Sequence, residues 1–432
     1  MKRVGYLMEK ISDLDNLYLA YYKASRGKKG KSEVIHFGKN LDDNLQRLRK
    51  ELLSGSCKVG HYRYFSIFDP KKRLICAASF PERVMHHAVM NVCHQYFERN
   101  LIGDTYATRI GKGTYEAIGK AMKAMSRYGY VAKLDVRKYF DSISHDVLKA
   151  KLRRLFKDAQ LLALFDAIIE SYSTKEGCGL PIGNLTSQYF ANFYLSELDH
   201  RAKEELKIPV YLRYMDDILL FGNDKETLRR QTEILSQCVA SLQLEFKPII
   251  INKVEVGVSF LGYRLRRHRL TLNSRSRNRL KTKLRTYNDR HEAGYWTDSE
   301  YANHLQPLLA FAQKSYSKQL RNWMIRNTIQ GRELQAQTAC CAGAAGTTTQ
   351  GTAAYRTGTT TTRATGTTTT GSACVFPSLR FQGMDVPEEV KQVPVPLPQF
   401  GTKRAASGHL TISASKAVDS VSKTLNVNYF HI

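Results

Sequence analysis

Asp135, Asp216 and Asp217 are the side chains in this sequence whose type and spacing point most directly to chemistry. The latter two lie between the apolar runs Pro209-Val210-Tyr211-Leu212 and Ile218-Leu219-Leu220-Phe221. Both runs have strand composition, so the acidic pair is expected at the tip of a β-hairpin. Upstream, Val131-Ala132-Lys133-Leu134-Asp135-Val136 reads as a strand. Its alternation places Ala132, Leu134 and Val136 on one face and Lys133 and Asp135 on the other. An acidic pair alone is an ordinary solvated turn. Three carboxylates at strand ends on one sheet are instead a set of hard oxygen donors suited to Mg2+. Two such ions about 4 Å apart activate a hydroxyl and stabilise a leaving pyrophosphate in an in-line displacement. Phosphoryl transfer of this kind is mostly positioning and charge neutralisation.

The remainder of the chain supplies cations. Over 432 residues, 66 Lys and Arg face 39 Asp and Glu, a formal charge of +27. The simplest partner for that excess is a polyanion, with nucleic acid first and an anionic membrane second. No apolar run approaches the roughly 20 residues of a membrane span, and the N-terminus lacks the apolar core of a signal peptide. The eight cysteines show no paired C-x-x-C spacing, which argues against a zinc site and a disulfide framework. A cytoplasmic protein that binds nucleic acid, with no membrane partner, is expected.

The elements that must position the aspartates follow in order. Residues 1–60 have helical spacing, with a basic loop Lys23-Ala24-Ser25-Arg26-Gly27-Lys28-Lys29-Gly30-Lys31 that is either a solvated linker or a phosphate contact. Residues 61–130 open with a hairpin turning at Asp69-Pro70, and a helix follows from Pro81. Residues 131–265 hold the Asp135 strand, a helix capped by Ser144, a helix from Leu185, the Asp216-Asp217 hairpin, a helix through Leu228, Leu235 and Val239, and a strand pair over 246–265. This order predicts an α+β fold with helices packed on one face of a small antiparallel sheet. Residues 266–331 read as a basic helical domain, because Arg264 to Arg285 contains ten Lys or Arg and no acid. From Thr338 to Cys374 every residue except Gln350 is Ala, Cys, Gly, Thr, Arg, Tyr or Ser. In one-letter code these are symbols of the degenerate nucleotide alphabet, and a nucleotide string carried into the protein sequence is the favoured explanation. Residues 332–432 are therefore expected to be a low-complexity or appended tail that cannot bury a core.

Taken together these motifs resemble a reverse transcriptase. Tyr214-Met215-Asp216-Asp217 and Leu134-Asp135 with Phe140 resemble its palm. Lys72-Arg73-Leu74-Ile75 is similar to the first finger motif, and the stretch from Asp104 to Gly113 to the second. Phe260-Leu261-Gly262-Tyr263 looks like the primer-grip hairpin. The resemblance implies a right-hand polymerase with fingers (61–130), palm (131–265) and a short helical thumb (266–331). It also implies two Mg2+ ions on Asp135, Asp216 and Asp217, with Mn2+ as a substitute. Template RNA, primer, cDNA and dNTPs are the implied partners.

One segment resembles a narrower group. Where most reverse transcriptases carry Gln-Gly-x-x-x-Ser-Pro, this chain has Ile182-Gly183-Asn184-Leu185-Thr186-Ser187-Gln188. That pattern is similar to the enzymes of diversity-generating retroelements. These copy a template-repeat RNA with errors at adenines, and act with a small basic oligomeric accessory protein. By the same carry-over, Phe140 is the steric gate against a 2′-hydroxyl, and Ile182, Gly183 and Gln188 line the nascent base pair. Arg73, Arg109 and Lys247 are the expected nucleotide contacts. A retron or group II intron enzyme is the alternative within the class, and a non-catalytic RNA-binding scaffold the alternative outside it.

Overall fold

In a computed structural model, residues 3–68, 72–315 and 318–327 are described. The expected Asp69-Pro70 turn and the tail expected over 332–432 lie outside them. Helical spacing in the N-terminal segment becomes α1 (Met8–Ile11), α2 (Leu14–Ser25), α3 (Ser32–Lys39) and α4 (Leu41–Ser54). The Asp13 carboxylate starts α2 by accepting from the amides of Asp15 and Asn16, and Gly55 ends α4 in the left-handed region. Their apolar stripes, including Leu17, Ala20, Leu45 and Leu52, join one core with the long helix α5 (Phe80–Arg99). Ser79 precedes that helix and Pro81 stands in its first turn, where a missing amide hydrogen costs nothing. Between them β1 (Tyr62–Phe68) and β2 (Lys72–Ala78) pair antiparallel, with Tyr64, Phe65, Phe68 and Leu74 exposed.

After α6 (Thr114–Arg127) comes β3 (Tyr130–Asp135), then α7 (Tyr139–Ser142), α8 (His145–Leu155), α9 (Ala159–Glu170), α10 (Leu185–Tyr194) and α11 (Ser196–His200), which continues into a π turn, Arg201–Glu205. The Ser144 hydroxyl accepts from the Val147 amide, so the expected cap forms. Next are β4 (Val210–Tyr214), β5 (Asp217–Gly222), α12 (Lys225–Ser241) and β6 (Ile250–Lys253). The strands make an antiparallel sheet in the order β4-β5-β3-β6.

The two faces of this sheet belong to different cores. Ala132, Leu134, Tyr211, Ile218 and Leu220 face the helices α5, α8, α10 and α12. Each side chain of the size of Leu134 or Ile218, here 0% exposed, contributes about 1.5–3 kcal/mol by leaving water. Val131, Leu212, Leu219 and Phe221 face Ala117, Ile118 and Met125 of α6. The expectation of helices on one face is therefore corrected: both faces are covered. Ile218-Leu219-Leu220-Phe221 runs unbroken along β5 and puts large apolar side chains on both faces, and such a strand needs two apolar layers.

The strand pair expected over 246–265 divides between two sheets. While β6 completes the first, β7 (Val258–Phe260), β8 (Tyr263–Arg266) and β9 (Arg269–Leu272) form another antiparallel sheet. The boundary drawn at 265 consequently falls inside a sheet. The run of cations that suggested it begins on β8, where charge composition changes before the backbone does. Leu261 and Gly262 turn β7 into β8 with φ 47° and 88°, the two left-handed residues of a tight hairpin. The basic segment closes with α13 (Ser274–Glu292), α14 (Asp298–Gln313) and α15 (Lys318–Arg326). Among the described residues no helix is long and apolar enough to cross a membrane.

Candidate active site

The antiparallel register of β3 and β5 puts Asp135, the last residue of β3, directly opposite Asp217, the first of β5. Asp217 also pairs with Tyr214 across the β4–β5 hairpin. The hairpin tip is therefore Met215-Asp216, and Asp217 is a strand residue rather than a tip residue, a correction to the expectation of two carboxylates in the turn. Met215 has φ 57° while Asp216 stays out of the left-handed region. A two-residue loop with only its first residue left-handed normally uses glycine there; methionine adopts it at a cost in strain.

Charge is concentrated at this strand end. Burial pushes the Asp216 carboxyl up to about 6, with Asp217 and Asp135 adding like-charge repulsion. Burial also raises Asp217, and Lys133 acts against it. Two lysines offset part of this charge. Lys247 Nζ lies 2.5 Å from Asp135 Oδ1, and its amide donates to the Asp135 carbonyl at 2.8 Å. Lys133 Nζ lies 3.1 Å from Asp217 Oδ1 and donates to the Ser259 carbonyl at 3.0 Å. Lys133 is thus the one polar side chain that meets the buried Asp217 Oδ1 among the described residues.

An all-oxygen donor set that includes a buried oxygen met only by an exchangeable ammonium fits a hard divalent cation. The present rotamers do not complete a site: among the described residues no three His, Cys, Asp or Glu side chains are gathered to hold a metal. Asp135 and Asp217 are turned toward lysines, and those ammonium groups stand where a cation would compete.

The other expected site residues divide into three groups. Lys247 is at the carboxylates. Lys133 links the carboxylates to the Ser259 carbonyl, one residue before the Phe260–Tyr263 segment, in which Phe260 and Tyr263 are buried in the second core. A second group surrounds the loop before α10. Ile182 is half-buried and its carbonyl accepts from the Cys76 amide at 2.8 Å. Gly183 has φ 125°, and a Cβ there would meet the Cys76 carbonyl at 3.0 Å and Ile75 Cγ2 at 3.1 Å. Gln188 Oε1 accepts from the Thr108 hydroxyl at 3.3 Å. Phe140 is half-buried, edge-on to Tyr139, and its carbonyl accepts from the Leu180 amide.

The two arginines form the third group. Arg73 is exposed on β2 opposite Ile67. Arg109 is 7% exposed and committed to structure, with Nε and Nη2 donating to Glu98 Oε1 at 2.8 and 2.6 Å and Nη1 donating to the Ile102 carbonyl and to Thr105. It shapes the 102–109 loop and is not brought to the carboxylates.

Two contributors were not anticipated. Lys133 shares a strand face with Asp135, and the period-2 spacing held that signal. Arg213 is 0% exposed beneath the hairpin and paired with Asp199, also 0% exposed. A single arginine in an otherwise uncharged strand is the only hint of that pairing in the sequence, because Asp199 sits in the mostly polar stretch Ser196-Glu197-Leu198-Asp199-His200.

Comparison with known proteins gives the chain a matching family model and several relatives. Residues 68–265 match the family model described as reverse transcriptase (RNA-dependent DNA polymerase). Protein YkfC of Escherichia coli is 23% identical over 278 residues, covering 52% of this chain and 72% of that protein. The COX1/OXI3 intron 1 protein of Saccharomyces cerevisiae is 21% identical over 327 residues, covering 60% and 39% respectively. The corresponding intron 2 protein is 23% identical over 216 residues, covering 45% and 24%. The chain thus spans less than half of either intron protein. The match over residues 68–265 indicates an RNA-directed DNA polymerase of the nucleotidyltransferase class.

Proposed function

We propose that this domain copies a template-repeat RNA into cDNA with low fidelity, as the polymerase of a diversity-generating retroelement. The observation that carries the reading is Ile182. Its carbonyl is engaged by β2, leaving an aliphatic side chain where an amide would otherwise offer hydrogen bonds. Discrimination by a lost hydrogen bond is worth far more than discrimination by an apolar wall.

In this reading β1–β2 and the 102–113 loop serve as fingers, the four-stranded sheet as palm, and α13–α15 as thumb. Asp135, Asp216 and Asp217 hold divalent ions, Mg2+ or substituting Mn2+. Such ions supply Lewis acidity for the primer 3′-hydroxyl and charge neutralisation for the triphosphate. Arg73 and Lys247 offer cations to the triphosphate, Phe140 stands against a 2′-hydroxyl, and the Phe260–Tyr263 hairpin supports the primer end. A basic accessory protein that engages the template belongs to the same reading, as does a cytoplasmic setting.

The test is extension on a defined RNA template with Mg2+ and dNTPs, followed by cDNA sequencing, beside an Asp216→Ala, Asp217→Ala control. Errors concentrated opposite adenine, lowered by Ile182→Gln, support the reading. An error spectrum that Ile182→Gln leaves unchanged removes the role given to Ile182. Absence of any metal-dependent product defeats the polymerase assignment. Similarity to two intron proteins favours a second reading, an intron- or retron-type reverse transcriptase. Accurate cDNA without adenine bias would select it.

A further inference from the structure

The Arg213 side chain uses every donor it has. Nε and Nη2 form a fork on Asp199, at 2.6 Å to Oδ1 and 2.5 Å to Oδ2. Nη1 donates to Asn192 Oδ1 at 3.0 Å and to the Met215 carbonyl at 3.1 Å, and Nη2 also donates to the Asn192 carbonyl at 3.0 Å. Tyr211 donates its hydroxyl to Asp199 Oδ1 at 2.7 Å. A guanidinium has five N–H groups, and here all five are bonded out of contact with water.

Burying such an ion pair is not the economical way to stabilise a core, since a well-packed apolar substitute of similar volume is often as stable or more so. What the ion adds is direction. One arm holds the carbonyl of Met215, the left-handed residue next to Asp216. Another holds Asn192 on α10, the helix that begins just after Ile182-Gly183-Asn184 and carries Gln188. Asn192 Nδ2 in turn donates to the Ala107 carbonyl at 2.6 Å, next to Thr108, which donates to Gln188. The Arg213 main chain grips the same loop, its amide donating to the Asp104 carbonyl and its carbonyl accepting from the Tyr106 amide.

We propose that Arg213, seated on Asp199, is a positioning residue that fixes the carboxylate hairpin and the last turn of α10 in one frame. Metal placement and base-pair checking are then set by a single buried cation. The proposal rests on the polymerase reading above for its second half, while its first half concerns the hairpin alone. A lysine cannot substitute, because its three donors cannot form the fork and hold both carbonyls.

The experiment compares the full chain with Arg213→Lys and with the charge-free pair Arg213→Met, Asp199→Leu, which leaves no orphaned ion. Mn2+ binding to the protein without nucleic acid, measured by calorimetry, reads the hairpin directly. Primer extension reads kcat, the dNTP KM and misincorporation opposite each template base, and thermal unfolding reports folding. Expected is a folded charge-free variant with Mn2+ affinity down about tenfold, the scale of loss when a ligand's supporting contacts go. Its kcat should fall about 10²-fold, as for a displacement near 1 Å, with an altered error spectrum and little change in KM. Unchanged Mn2+ affinity in the folded variants overturns the proposal. Weakened Mn2+ binding with an unchanged error spectrum overturns its α10 half. If the charge-free pair fails to fold, Arg213→Lys decides by the same readouts. If the unaltered chain makes no DNA, the polymerase reading fails and the Mn2+ titration still decides the hairpin.

Discussion

Asp135 and Asp217 face one another across the β3–β5 pairing, and each is met by its own lysine, Lys247 on Asp135 and Lys133 on Asp217. Two of the three carboxylates are thus paired within the chain, so a divalent ion must displace a covalently attached competitor. Lys133→Met removes one competitor. Metal affinity should rise severalfold by calorimetry, while the metal-free chain should lose about 1–2 kcal/mol because a largely buried carboxylate is left uncompensated. A melt in chelator beside a melt in Mg2+ separates the two effects; lower affinity for metal would contradict this account.

Asp216 gives a pH-dependent counterpart. Its folded-state pKa, raised to about 6 by burial and then by Asp217 and Asp135, lies above that of an unfolded aspartate. The ionised carboxyl therefore destabilises the metal-free fold at neutral pH, and the penalty shrinks as pH falls below about 6 and is lost on reaching the ordinary aspartate range. Asp216→Asn should raise metal-free stability at pH 7 by about 1–2 kcal/mol, after allowance for residual solvent access, while abolishing extension. The gain should vanish near pH 4, where the wild-type carboxyl is mostly protonated.

Phe140 is five residues past Asp135, with its backbone tied to Leu180. Phe140→Val opens the space assigned to a 2′-hydroxyl. Incorporation of ribonucleotides should rise by about 10²-fold relative to dNTPs, the scale on which a pocket wall discriminates one hydroxyl. Competition extension with matched rNTP and dNTP measures it. An unchanged ratio would falsify the gate.

Gly262 tests the second sheet. A Cβ there would meet Ser276 Oγ at 3.0 Å and Phe311 Cζ at 3.1 Å, on a residue with φ 88°. Gly262→Ala should cost about 1–3 kcal/mol through strain and overpacking. Gly294, left-handed with open space around it, is the control: Gly294→Ala carries backbone strain alone and should cost less.

Much of this arrangement was legible in local pattern. Alternation placed Lys133 and Asp135 on the face opposite Leu134, and Ser144 and Pro81 marked helix starts through their own chemistry. Residues acting across long separations were not legible. Arg213 meets Asp199 only because β4 lies under α11, and nothing local distinguishes a buried arginine from an exposed one. The motif around Arg109 resembled a nucleotide contact, yet Glu98 and the Ile102 carbonyl absorb its guanidinium. The second sheet was hidden because a three-residue strand such as β7 has too little pattern to separate from its neighbour.

The order β4-β5-β3-β6 leaves β4 at the rim of the sheet, with Val210-Tyr211-Leu212 along it. A strand in that position offers unpaired amides and carbonyls to any other chain, the usual seed of aggregation. Here the amide and carbonyl of Arg213 are engaged by Asp104 and Tyr106, so the 104–106 segment caps part of the rim. Substitutions that loosen that segment would therefore show first as protein lost to the insoluble fraction, before any catalytic defect could be measured.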